Sequence, residues 1–79
     1  MEMVSAYILI TANIGQVKRV ARELKKIKGV KSVHVVTGNY DIIAFVEAPD
    51  LHALSSTVVD RIHRVKGVVD TNTAVVVDF

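Results

Sequence analysis

Lys26-Ile27-Lys28-Gly29-Val30 returns later in the chain as Arg64-Val65-Lys66-Gly67-Val68. The match extends backwards, with Val20, Leu24 and Ile27 corresponding to Val58, Ile62 and Val65. Each copy ends a run whose apolar residues recur at helical spacing. A Gly-Val step follows, and then a stretch rich in strand formers. Working outward, each half of the chain reads strand, helix, Gly-Val, strand.

Two such halves make the split βαβ pattern. The expected fold is therefore α+β: a ferredoxin-like βαββαβ domain with a four-stranded antiparallel sheet. Two right-handed crossovers place both helices on one face of it. The first strand is expected over residues 3–11. Asn13 is a candidate N-cap for the first helix, with Gln16 as its capping-box partner. Val17, Val20, Ala21, Leu24 and Ile27 form that helix's stripe, and Gly29 sits where a C′ glycine is wanted. The second strand is expected over 31–37. Gly38-Asn39 reads as a two-residue hairpin turn, and the third strand follows over 40–48. Asp50 can cap the second helix, whose stripe is Leu51, Leu54, Val58, Ile62 and Val65. Gly67 ends it, and a last strand is expected over 69–79.

A chain of 79 residues is one domain, expected to span residues 1–79. At this size a single core rarely supplies more than about 3–5 kcal/mol, and a further staple is usual. The chain has no cysteine, which removes disulfides and thiolate metal sites. Oligomerisation is the staple left. No apolar run approaches a membrane span, and the N-terminus lacks a basic, signal-like region. We expect a cytoplasmic protein with no membrane partner.

The strand patterns strengthen the case for assembly. Ile42, Ala44 and Val46 alternate with Ile43 and Phe45, while Val4, Ala6, Ile8 and Ile10 alternate with Met3, Tyr7 and Leu9. Val75 and Val77 alternate in the same way with Ala74 and Val76. Both faces of the expected sheet are thus apolar on at least three strands, and two helices cover only one. A second copy is expected on the other, in the manner of a dimeric α/β barrel.

Few residues suggest chemistry. His34 is expected on a strand. His52 and His63 are expected on one helix face, about three turns and 16 Å apart, too far to share a metal. Ser55 and Ser56 have no evident base, and no carboxylate pair stands out for acid–base work. No catalytic residue, metal site or cofactor is expected. Asp41, beside the hairpin, has two readings: a cap on the turn backbone, or a carboxylate held to receive an amino group. Thr71 and Thr73 face one way along a strand and Asn72 the other. The net charge is +2, but Lys18, Arg19, Arg22, Lys25, Lys26 and Lys28 cluster in and just after the first helix. Such a cluster is either a solvated face or a nucleic-acid footprint.

The hairpin Thr37-Gly38-Asn39-Tyr40-Asp41, followed by Lys66-Gly67-Val68 and Thr71-Asn72-Thr73, resembles the RAM domain. That domain is the C-terminal effector-binding module of the Lrp/AsnC family of amino-acid-responsive transcription regulators. The resemblance covers nearly the whole chain. It implies a non-enzymatic module that binds a free amino acid between dimers assembled into a ring. It assigns the hairpin side to Gly38, Asn39, Tyr40 and Asp41 and the strand side to Thr71 and Thr73. Asp41 would meet the ligand ammonium, and the threonines and backbone N–H groups its carboxylate. Longer members begin with a helix-turn-helix domain, whereas here the first strand starts almost at Met1. A stand-alone RAM protein without direct sequence-specific DNA binding is therefore expected, with a full-length relative as a candidate partner in mixed assemblies. The alternatives are a small dimeric α/β-barrel enzyme, of monooxygenase or isomerase type, and a nucleic-acid binder using the basic first helix.

Overall fold

The computed structural model describes residues 3–78. Strand β1 (Val4–Ala12) leads to helix α1 (Val17–Lys25) and strand β2 (Val30–Val35). Strand β3 (Ile42–Ala48) follows. The chain then forms Leu51–Ala53, Leu54–Val59 and Asp60–His63, three consecutive helical pieces that make up one rod, α2. Strand β4 (Val68–Val75) closes the sheet, whose order is β2-β3-β1-β4 with antiparallel neighbours. The expected βαββαβ architecture is the one observed.

The core lies between the sheet and the two helices. Ala6, Ile8, Ile10 and Ala12 on β1 and Ile42, Ala44, Val46 and Ala48 on β3 are buried there. Val20, Ala21 and Leu24 of α1 pack against them, as do Leu54, Val58 and Ile62 of α2. On the helix side Ala6 pairs with Val46, Ile8 with Ala44, Val4 with Ala48 and Ile10 with Ile42. Three of these four pairs set a larger residue against alanine, which suits close packing beneath two helices.

The repeat has a structural counterpart. In both halves the residue after the glycine closes a tight turn, through Val30 N–H to Ile27 C=O and Val68 N–H to Val65 C=O, each 3.1 Å. The glycine carbonyls are taken by Glu47 N–H and Asn13 N–H, both at 2.8 Å. Gly29 (φ 99°) and Gly67 (φ 104°) have left-handed backbones, and each lies against the other half's helix. A Cβ on Gly29 would meet Val58 Cγ2 at 2.7 Å, and one on Gly67 would meet Val20 Cγ2 at 2.8 Å. Val20 and Val58 are equivalent residues of the repeat, so each half locks the other at the same point.

Several local expectations are corrected. Asn13 does not cap α1. Gly15 turns left-handed (φ 81°), Gln16 N–H bonds Asn13 C=O, and Gln16 becomes the N-cap without a side-chain bond. Gly29 is not C′, because α1 ends at Lys25 and a tight turn intervenes. The hairpin is wider than two residues: Val36 N–H bonds Asp41 C=O and leaves 37–40 as the loop. A I′ turn needs positive φ at both central positions, and among the described residues only glycines have it. Strand β3 accordingly starts at Ile42. Asp50 does cap α2, accepting from Ala53 N–H at 2.7 Å. Leu51 stays exposed, and α2 is π-helical over Leu54–Val59. A π stretch takes more residues per turn, so eleven residues no longer return His63 to the face of His52.

Strand β4 ends at Val75, and Phe79 lies outside the described residues. Thr73 and Val75 of β4 are exposed, as are Asn72 and Ala74 opposite them. The two-sided apolar pattern is therefore carried by β1 and β3. On the side away from the helices, Tyr7 pairs with Phe45 and Leu9 with Ile43. The Tyr7 and Phe45 rings are 5.0 Å apart and tilted by 52°, and Tyr7 remains 47% exposed.

Gly38 (φ 109°) has open space for 4 Å around the point where a Cβ would stand, so Gly38→Ala isolates backbone strain, about 1–2 kcal/mol. Gly29→Ala adds steric overlap with Val58 and is expected to cost about 1–3 kcal/mol more in urea unfolding. Equal losses would mean that the glycine–valine lock contributes nothing.

Candidate functional site

The hairpin 36–41 projects from one end of the sheet, beside the last residues of β1 and the first of β4. Three contacts position it. Asp41 N–H donates to Ile10 C=O at 2.9 Å. Asp41 Oδ2 accepts from Ala12 N–H at 2.9 Å. Tyr40 Oη accepts from Asn72 Nδ2 at 2.9 Å, a bond that crosses over β1 to reach β4.

The Asp41 carboxylate thus performs the backbone-capping role. The ladder between β1 and β3 ends at the Ile10–Ile42 pair. The Ala12 amide lies beyond that end on the same flank, and Asp41 supplies the acceptor that the ladder no longer does. Gly38 and Asn39 form the exposed tip of the loop, while Tyr40 is partly buried.

Thr71 pairs with Ile10 and Thr73 with Ile8, both core residues, while Asn72 pairs with Leu9. Directly paired residues share a sheet face. The two threonines therefore face the helix side and Asn72 the open side. Thr71 Oγ1 lies 3.4 Å from His63 Nδ1 of α2. Ile10 links the two groups along the sheet, bonding Asp41 on one flank and pairing with Thr71 on the other. Across the sheet they are split: Tyr40 with Asn72 lies on the open side, Thr71 and Thr73 on the helix side. Within one chain the six residues do not line one pocket.

Asn72 was missed in the sequence. Its partner sits two strands away, and only the register across β1 shows that Tyr40 reaches it. The basic cluster is partly committed to structure. Arg19 bonds Gln16 Oε1 at 2.8 Å and the Lys66 carbonyl, and Lys26 pairs with Glu23 at 3.4 Å. Among the described residues no three or more His, Cys, Asp or Glu side chains are placed to hold a metal ion, and no helix is long and apolar enough to cross a membrane.

The family model described as the Lrp/AsnC ligand binding domain matches residues 5–78. The chain belongs to that family. Among its relatives is an HTH-type transcriptional regulator of Pyrococcus furiosus, 38% identical over 58 residues, which are 73% of this chain and 39% of the regulator. The match thus spans about two fifths of that relative's length. A homocitrate synthase of Sulfurisphaera tokodaii is 44% identical over 57 residues, or 72% of this chain but only 12% of the synthase. The Lrp/AsnC module therefore resembles a small part of an enzyme as well as part of a regulator. The crystal structure of TTHA0845 from Thermus thermophilus superposes with a TM-score of 0.88 at 28% identity, covering 96% of this chain and 95% of that one. A transcriptional regulator of Neisseria meningitidis, solved as an L-Met complex, shares the fold (TM-score 0.83, 23% identity, 95% of this chain and 50% of that one).

Asp41→Ala removes the acceptor of the Ala12 amide and is expected to lower stability by about 1–3 kcal/mol. Asp41→Asn keeps an acceptor oxygen and should lose under about 1 kcal/mol. Urea titration of both variants checks the assignment, which fails if the two are equally stable.

Proposed function

We propose that this Lrp/AsnC domain is a non-enzymatic amino-acid sensor that works as part of a transcription-regulating assembly. Its copies pair through the open sheet face, the pairs join into a ring, and a free amino acid binds between pairs. The observation that carries this reading is the hairpin tied to β4 by Tyr40 and Asn72 in a chain of the ligand-binding family. The amino-acid complex of the Neisseria regulator supports the ligand class.

In this reading the split of the six residues across the sheet has a simple consequence. A cleft that uses both the hairpin and the threonines takes them from different chains. The hairpin of one pair supplies Gly38, Asn39, Tyr40 and the free lone pairs of Asp41. Thr71 and Thr73 come from a neighbouring pair. Charge-assisted bonds to an ammonium and a carboxylate then hold the ligand without any reaction. A full-length Lrp/AsnC regulator is the candidate partner for mixed assembly. Pairing covers Tyr7, Leu9, Ile43 and Phe45, and an obligate interface of this kind typically buries more than about 2,000 Å².

A thermal-shift screen of the twenty amino acids tests the ligand. At a hundred times its Kd a ligand stabilises by about 2.7 kcal/mol. Asp41→Asn, which keeps the fold, should weaken that ligand by about tenfold or more. Silence across the screen, or unchanged affinity in Asp41→Asn, counts against the site. Sedimentation tests the pairing separately: Phe45→Lys should release monomers at micromolar concentration where the parent chain shows none.

A further inference from the structure

The two halves of the repeat carry different side chains at one matching place. Beside Gly67 a cleft of about 600 Å³ is lined by Asn13, Ile14, Gln16, Arg19, Lys66 and Gly67. The Arg19 guanidinium lies 3.0 Å from where a Gly67 Cβ would be and donates to the Lys66 carbonyl. The corresponding glycine is Gly29, and the residue equivalent to Arg19 is Thr57, one before Val58 as Arg19 is one before Val20. Here a second cleft, of about 460 Å³, lies between α2 and the junction of β2 with β3, lined by Thr57, Val58, Gly29, Lys28, Lys31 and Arg61 among others. That volume is within the range of small-molecule sites.

Three cations surround the cleft. Among the described residues the ion pairs are Lys26–Glu23 and Arg64–Asp60, so Lys28, Lys31 and Arg61 have no carboxylate partner. The acidic residue of the lining, Glu47, accepts from Ser5 Oγ at 3.3 Å. Thr57 and Val58 belong to the π-helical stretch of α2, and π segments are frequent at functional sites. Convergent cations beside a hydroxyl and an apolar wall suit a compact ligand with more than one negative charge.

The geometry points to a binding site for a compact polyanion, carrying phosphate or carboxylate groups, in the cleft between Gly29, Thr57 and Arg61. It lies by α2 and the Gly29 turn, away from the hairpin, and it stands independently of the amino-acid reading. Arg61 would engage the anion in bidentate fashion, with Lys28 and Lys31 as point charges and Thr57 Oγ1 as a donor.

Calorimetric titration of the intact protein with inorganic pyrophosphate and, separately, with citrate tests the proposal and distinguishes phosphate from carboxylate ligands. Binding of either is expected, weakened about tenfold or more in Arg61→Gln. Thr57→Val is a second variant. It removes the hydroxyl donor and keeps the side chain's shape, so it should weaken binding by about threefold. Arg22→Gln, on the outer face of α1, should change affinity by less than about twofold. Circular-dichroism melting confirms that each variant is folded, and Arg61→Gln, an exposed position, carries the test should Thr57→Val not fold. The site is overturned if neither anion binds at about 10 mM, or if Arg22→Gln weakens binding as much as Arg61→Gln does.

Discussion

The structure depends on a mismatch between two strands and two helices. Strands β1 and β3 are apolar on both sides, because Ile8 and Ile10 alternate with Tyr7 and Leu9, and Ile42 and Val46 with Ile43 and Phe45. The helices cover one side and bury it completely. On the other, an aromatic pair and two aliphatic residues lie next to each other in register. Apolar surface of that kind is costly in water. It also explains why so small a domain has no disulfide: the proposed pairing adds core to each copy instead of cross-linking it.

Beneath that face the fold is held by reciprocity. Gly29 lies on Val58 and Gly67 on Val20, so each βαβ half is docked by the other's helix. The equivalence is maintained where close packing demands it and relaxed where it does not. Arg19 and Thr57 occupy matching places, yet Arg19 is tied to the Lys66 carbonyl, whereas Thr57 stands in a cleft lined by Lys28, Lys31 and Arg61. The π stretch also distinguishes the halves, since α1 has none.

Asp41 shows how structure and proposed function share one side chain. One oxygen caps the Ala12 amide beyond the end of the β1–β3 ladder, which fixes the carboxylate at the sheet end. A group fixed by its own backbone contact is preorganised and loses little freedom when a ligand arrives. Tyr40 does the same for the loop by reaching Asn72. The threonines of β4 point away from that pair, which is why the proposed cleft draws on more than one chain.

The sequence by itself determined the βαββαβ order, the antiparallel sheet, the Asp50 cap, the opposing directions of Thr71 and Asn72, and the family. The family comes from the resemblance carried by the hairpin and the motifs that follow it, and the rest from periodicities of two and 3.6, glycine spacing and cap chemistry, which are local properties of the chain. It misplaced the start of α1, the width of the hairpin and the end of β4, and it was silent about the π stretch. Those depend on contacts that no local pattern encodes: Asn13 tied to Gly67, Asp41 drawn to Ala12, and a β4 whose residues beyond Thr71 are exposed. Only the tertiary structure could join Tyr40 to Asn72 or set Thr57 where Arg19 stands in the other half, because each brings together residues that are distant in the chain and neighbours only after the sheet has closed.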